Sequence, residues 1–135
     1  MVVVQSGDGT LSFVNGTADV VLDSTYPIYV FKFINIHPSA TGKFYFNLSV
    51  DAGSNYNVAK TTTIFEQVQI ETGGGSSFGY AETRDINANT GVARVIDELQ
   101  TDNDSGGSGE MWLFNPSSTT YVKHFWIRTQ AWRAY

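Results

Sequence analysis

Residues 43–51 read "KFYFNLSVD". Phe44, Phe46, Leu48 and Val50 fall on one side of an extended chain, and Lys43, Tyr45, Asn47, Ser49 and Asp51 on the other, the period of two that a half-buried strand requires. The run just before it, "IYVFKFINI" (28–36), is apolar on both sides. That predicts an interior strand, covered on each face.

The same reading extends in both directions. Turn chemistry recurs about every ten residues: "GDG" at 7–9, "NG" at 15–16, "HPSATG" at 37–42, "DAGSN" at 51–55, "GGGSS" at 73–77, "NTG" at 89–91, "DNDSGGSG" at 102–109 and "NPSS" at 115–118. Short strands at that spacing are the signature of a sandwich or barrel. "LSFVNGTADVVL" (11–22) places Asn-Gly between two runs of β-formers and predicts a hairpin with a primed turn. "KTTTIFEQVQIE" (60–71), "EMWLF" (110–114) and "TTYVKHFWIRT" (119–129) supply further strands. In the last, Tyr121, Phe125 and Ile127 share one face, and Val122, His124 and Trp126 the other. "GGSG" (106–109) reads as a turn that uses positive φ to enter "EMWLF". In "GVARVIDELQ" (91–100), Val92, Val95, Ile96 and Leu99 sit at helical spacing, so a short helix competes with a strand there. Its ten residues between glycine-rich turns favour the strand. The expected fold is all-β, an antiparallel jelly-roll-like β-sandwich of about eight strands in a single domain spanning 1–135. The closing stretch "FWIRTQAWRAY" has no polar tail, so either it closes a sheet or the final strands lie beyond Tyr135.

Composition narrows the function. The chain has 135 residues, 41% of them hydrophobic and only 16% charged, which predicts a packed domain and not a disordered tail. A net charge of −5 disfavours nucleic acid, whose affinity comes from Lys and Arg neutralising phosphates. Cysteine is absent, which removes disulfides, thiolate nucleophiles and Cys-zinc sites. The opening "MVVVQSGDG" has no basic region before its short apolar run, and no apolar run approaches the ~20 residues of a membrane helix. A soluble protein without a signal peptide is expected.

Catalytic patterns fail one by one. Neither "GGSGEMWLF" nor "GGGSSFGY" carries the lysine and following helix of a phosphate loop. The two histidines, His37 and His124, lie in a turn and mid-strand, with no nucleophile elbow in the chain. "DNDSGGSGE" offers Asp102, Asp104 and Glu110, but position twelve counted from Asp102 is Leu113 where a calcium loop needs Glu. Glu66, Glu71, Glu82, Asp85, Asp97 and Glu98 are available for paired-carboxylate chemistry, yet no pair is singled out by spacing. "NGT" (15–17) and "NLS" (47–49) match the N-glycosylation pattern, read here as chance. Neither a catalytic residue, a cofactor nor a metal ligand is assigned. Trp112, Trp126, Trp132 and the seven tyrosines could stack sugars, although core or subunit-interface use suits them better. A carbohydrate-binding module would turn rings such as Tyr45 or Trp126 to solvent.

Two blocks of the sequence carry a resemblance. Ser24, Thr25, Tyr26, Tyr29, Phe31, Phe33, Asn35, Ile36, His37 and Pro38 fit "STYxxYxFxFxNIHP", and Ser108 through Phe125 fit "SGxLxLFxPSSTTxVKHF". In these the chain resembles a group of virion structural proteins of marine tailed bacteriophages, over roughly residues 11–129. The resemblance implies a non-enzymatic part of the virion exterior, either a capsid decoration protein or a tail-fibre or receptor-binding head. Its partners would be other virion proteins and its own copies in a homotrimer, with a host surface glycan as a further ligand, and neither nucleic acid nor membrane. Relatives of this kind continue past "KHF" into a further strand, which implies the same beyond Tyr135.

Overall fold

Seven strands and one 3-10 turn form within residues 9–70 and 72–132, the residues described by the computed structural model. They are β1 (Ile28–Ile36), β2 (Gly42–Phe46), β3 (Phe65–Gln69), β4 (Ser76–Tyr80), β5 (Ala93–Leu99), β6 (Gly106–Phe114) and β7 (His124–Trp132). The protein is all-β, with three antiparallel sheets in the orders β1-β6-β7, β2-β5 and β3-β4. Most of the "GDG" turn, Glu71 and the residues after Trp132 lie outside the described residues.

The core forms where the β2-β5 pair packs on the inner face of the three-stranded sheet. Val95, Ile96 and Leu99 of β5 are buried against Phe33, Ile36, Phe44, Phe46 and Ile127. Edge-to-face ring pairs Phe33–Phe44 and Phe46–Phe125, each with centroids 5.0 Å apart, tie the two layers together. The Thr129 hydroxyl also donates to the Val95 carbonyl at 2.8 Å.

β5 explains its own ambiguous sequence. The strand reading of 91–100 holds, but Val95 and Ile96 are adjacent and both buried, which regular alternation forbids. The register against β2 shifts twice, between Gly42 and Phe44 and between Phe44 and Tyr45, so β5 carries extra residues opposite β2. These bulges re-aim side chains and produce an apolar spacing that imitates a helix.

β6 corrects the reading of "GGSG". Gly106, Gly107 and Gly109 lie inside the central strand, and none has positive φ. What they supply is room. A Cβ on Gly107 would come within 2.5 Å of Ile96 Cδ1 and 2.9 Å of Leu99 Cδ2, while one on Gly109 would strike the β7 backbone at Arg128 and Thr129. The glycines let β5 cross close over β6 and let β7 pair tightly beside it.

Three other expectations also change. "IYVFKFINI" is an edge strand among the described residues, and its outer face shows Ile28, Val30 and Ile34 exposed, since no described element forms a second layer over it. The "NG" stretch makes a local turn without flanking strands: Gly16 N–H donates to the Val20 carbonyl, and Gly16, Ala18 and Asp19 all take positive φ. "KFYFNLSVD" leaves the strand after Phe46, and Val50 is exposed. There Asn47 turns inward, donating to the carbonyls of Tyr56 and Thr90 and accepting from the buried Lys60 Nζ at 2.6 Å. Burial pushes the Lys60 ammonium below the usual lysine range.

Between β2 and β5 the chain makes one long excursion. Lys60 bridges to Asn89, Thr62 N–H donates to the Ile86 carbonyl, and Ala81 N–H donates to the Ile64 carbonyl. The β3-β4 hairpin forms the far end of this arm. Its turn uses Gly73 at φ +76 and Gly75 at φ +148, so here glycine does supply backbone freedom.

Candidate functional site

The depressions that matter lie at two places, the root of the β3-β4 arm and the upper end of the outer face of the β1-β6-β7 sheet. The first, about 450 Å³, is lined by Glu66, Phe78, Tyr80, Glu82 and Arg84 among others. Three of its polar side chains, Glu66, Tyr80 and Arg84, are already engaged. Arg84 ion-pairs with Glu66 and, through its other nitrogen, with Asp97 at 2.9 Å; Asp97 also accepts from Arg94 at 2.6 Å. The Tyr80 hydroxyl donates to Asp85, and this bond pushes the phenol above its ordinary pKa. Glu66 and Asp97, two of the carboxylates available for acid-base work, are thus joined by a shared guanidinium. The arrangement latches the arm to the body.

The second depression, about 310 Å³, is lined by Asn35, Asp104, Gly106, Ser108, Gln130 and Trp132. Its origin is local. The register of β1 on β6 breaks between Phe33 and Ile36, and Asn35 there takes φ +51. A bulge of this kind turns a side chain out of the ladder, and Asn tolerates the left-handed region better than most residues. The Asn35 carboxamide comes over Gly106, where a Cβ would stand 2.8 Å from its Oδ1. Asn35 N–H donates to Ser108 Oγ at 3.0 Å, and Gly106 and Ser108 lie opposite Trp132 and Gln130 of β7. Among the described residues the side chains of Asn35, Gln130 and Asp104 make no internal hydrogen bond. They face solvent beside Trp132, a residue 38% exposed.

From this depression the outer face runs down β7 through Gln130, Arg128 and Trp126 to His124, all exposed. Trp126 stands opposite Trp112 of β6, which in turn faces Val30 of β1. Tyr45 is exposed as well but belongs to β2 of the other sheet, 6.0 Å below the Arg94 guanidinium, so it extends no row with Trp126.

The histidines are far from any acid-base arrangement. His37 Nε2 donates to the Asp102 carbonyl at 3.0 Å, a tie between the end of β1 and the loop before β6. His124 stands on the outer face with no carboxylate partner among the described residues. Asp102 and Asp104 sit in the loop and Glu110 in mid-β6, and no group of three metal-binding side chains occurs among the described residues. No helix there is long and apolar enough to cross a membrane.

In the sequence, Asn35 and Ser108 stood out only as positions of the two motif blocks and Asp104 only in a calcium-loop pattern that fails, and Gln130 did not stand out. The alternation of "HFWIRTQAW" (124–132) places His124, Trp126, Arg128, Gln130 and Trp132 on one face and could have found Gln130 beside Trp132. The bulge that brings in Asn35 has no such signal. No family model matches the chain, and neither a curated protein nor a solved structure matches it.

Proposed function

We propose that the protein is a structural component of a tailed-phage virion, built into its exterior as a homotrimer. The role is that of a decoration protein or a tail-fibre or receptor-binding head, with no enzymatic activity. The two sequence blocks at 24–38 and 108–125 support the virion reading. The physical support is one observation, the apolar surface that a single copy leaves outside its core. Among the described residues seven hydrophobic side chains are buried, while seventeen large ones are exposed. Scattered exposed apolar residues are ordinary, but contiguous patches of rings mark interaction surfaces.

Such a patch occupies the arm. Phe65, Phe78 and Tyr80 share one face of the β3-β4 hairpin, with Phe65 and Phe78 stacked at 6.3 Å and Tyr80 at 5.6 Å from Phe65. Phe78 is 75% exposed. An isolated two-stranded hairpin is marginal in water, and a neighbouring copy covering these rings would stabilise it. In this reading the two layers become a jelly-roll-like sandwich whose open faces close against other copies. Native mass measurement of the purified chain tests the proposal: a trimer is expected, and a strict monomer at working concentration contradicts it.

A second reading has its own observation. Trp126 and Trp132 are both exposed on the same face of β7, 49% and 38%, as a carbohydrate-binding module requires. Binding to a glycan array tests it.

A further inference from the structure

We propose that the depression formed by Asn35, Asp104, Ser108, Gln130 and Trp132 holds one pyranose ring of a neutral oligosaccharide whose chain extends along β7 toward Trp126. This rests on the carbohydrate-binding reading and gives it a site and a ligand class.

The lining residues select the class. A cation is disfavoured, since Asp104 is the one carboxylate among the described lining residues. An anion is disfavoured, since among the described residues neither Lys nor Arg lines the depression while Asp104 does. A wholly apolar ligand does not fit walls of two amides, a hydroxyl, a carboxylate and a glycine. What remains is a neutral molecule with an apolar face and a rim of hydroxyls. The C–H face of a pyranose would lie on the Trp132 indole. Its hydroxyls would pair with the Asn35 and Gln130 amides, each of which both donates and accepts. Asp104 can accept, and Ser108, whose oxygen already accepts from Asn35 N–H, keeps its own proton to donate. The Asn35, Gln130 and Asp104 side chains have no internal partner among the described residues, and the site is preformed because the bulge and Gly106 fix Asn35. The volume, about 310 Å³, stands at the small end for ligand clefts, which suits one ring. Trp126 is six residues from Trp132, about 20 Å along an extended strand, so only a chain of several sugars reaches both.

The test uses the whole chain and a panel of neutral tetrasaccharides of glucose, mannose and galactose with their monosaccharides, and with sialyllactose and a sulfated disaccharide as anionic probes. Binding is followed by calorimetry and by the indole N–H resonances. We expect one neutral tetrasaccharide to bind, shifting the Trp132 indole resonance. Trp132→Ala should weaken binding by about tenfold or more, equivalent to ~1.4 kcal/mol. Asn35→Gly, which keeps the backbone conformation and removes the amide, should weaken it several-fold. Trp126→Ala should reduce affinity for the tetrasaccharide and leave the monosaccharide unchanged. If no glycan binds, both the site and the carbohydrate-binding reading fall. If a glycan binds with affinity unchanged by Trp132→Ala and Asn35→Gly, the site is wrong and the broader reading stands. Preference for the anionic probes overturns the ligand class. Should Trp132→Ala fail to fold, Asn35→Gly and the Trp132 resonance of the unaltered protein decide.

Discussion

The body and the arm are both built of antiparallel pairs, and each contains a glycine cluster and paired aromatic rings, yet they use these differently. In the body, Phe33, Phe44, Phe46 and Phe125 meet edge-to-face between two layers. In the arm, Phe65, Phe78 and Tyr80 meet on one face of a single layer with solvent beyond. The glycines of "GGSG" are needed because they have no Cβ, and those of "GGGS" because two of them take positive φ. Similar composition therefore serves close approach in one place and chain reversal in the other. The body buries its phenylalanine pairs between two layers, whereas the arm leaves its rings exposed.

Substitutions can break this comparison. Gly109→Ala puts a methyl into the β7 backbone, and Gly107→Ala puts one into Ile96. Each should destabilise the protein by about 1–3 kcal/mol in urea unfolding, as overpacking does. Gly73→Ala meets open space but keeps the strain of φ +76, so its cost should be nearer ~1 kcal/mol. Gly74, with neither constraint, should accept Ala within about 0.5 kcal/mol. If all four cost the same, the division of labour is wrong.

Cutting the latch sharpens the comparison. Arg84→Ala removes the guanidinium shared by Glu66 and Asp97, groups only partly withdrawn from water. Global stability should fall by no more than about 1 kcal/mol, while limited proteolysis should speed up within 65–80 and not within β5 to β7. Equal acceleration throughout would mean that arm and body unfold together.

The smallest effect concerns the turn at 49–55. The Ser49 hydroxyl donates to Asp51 at 2.6 Å, and Asn55 adds its side-chain and backbone N–H, which together hold the carboxyl at about 2. A folded pKa below the ordinary value of 3.8 means that the contribution is fully present above about pH 4 and is lost as pH falls toward 2. Asp51→Asn should lower stability slightly at neutral pH, where the carboxylate's contribution is present, and flatten the acid-unfolding profile between about pH 4 and 2, where that contribution would otherwise be lost.

Much of the fold was legible in the chain because alternation is a local property. Phe44 and Phe46, or Phe125 and Ile127, announce their side of the sheet two residues at a time. Pairing across long separations was not legible. Nothing in "IYVFKFINI" says that β6, about 75 residues on, covers one edge and that Ile28, Val30 and Ile34 are exposed on its outer face. The candidate site failed for a related reason: Asn35 enters it through a register shift between β1 and β6, a property of the pair and not of either strand. "GGSG" was misread because glycine has two uses, and only the neighbours Ile96 and Arg128 reveal which applies.

The central claim is that the arm's rings are the surface by which copies join. Native mass spectrometry of the intact chain beside a Phe65→Ser/Phe78→Ser variant tests it directly. The account predicts a homotrimer for the first, and for the second a monomer whose melting temperature, once corrected for the lost assembly, is little changed. A monomer in both cases, or an unaltered trimer in the variant, would contradict it.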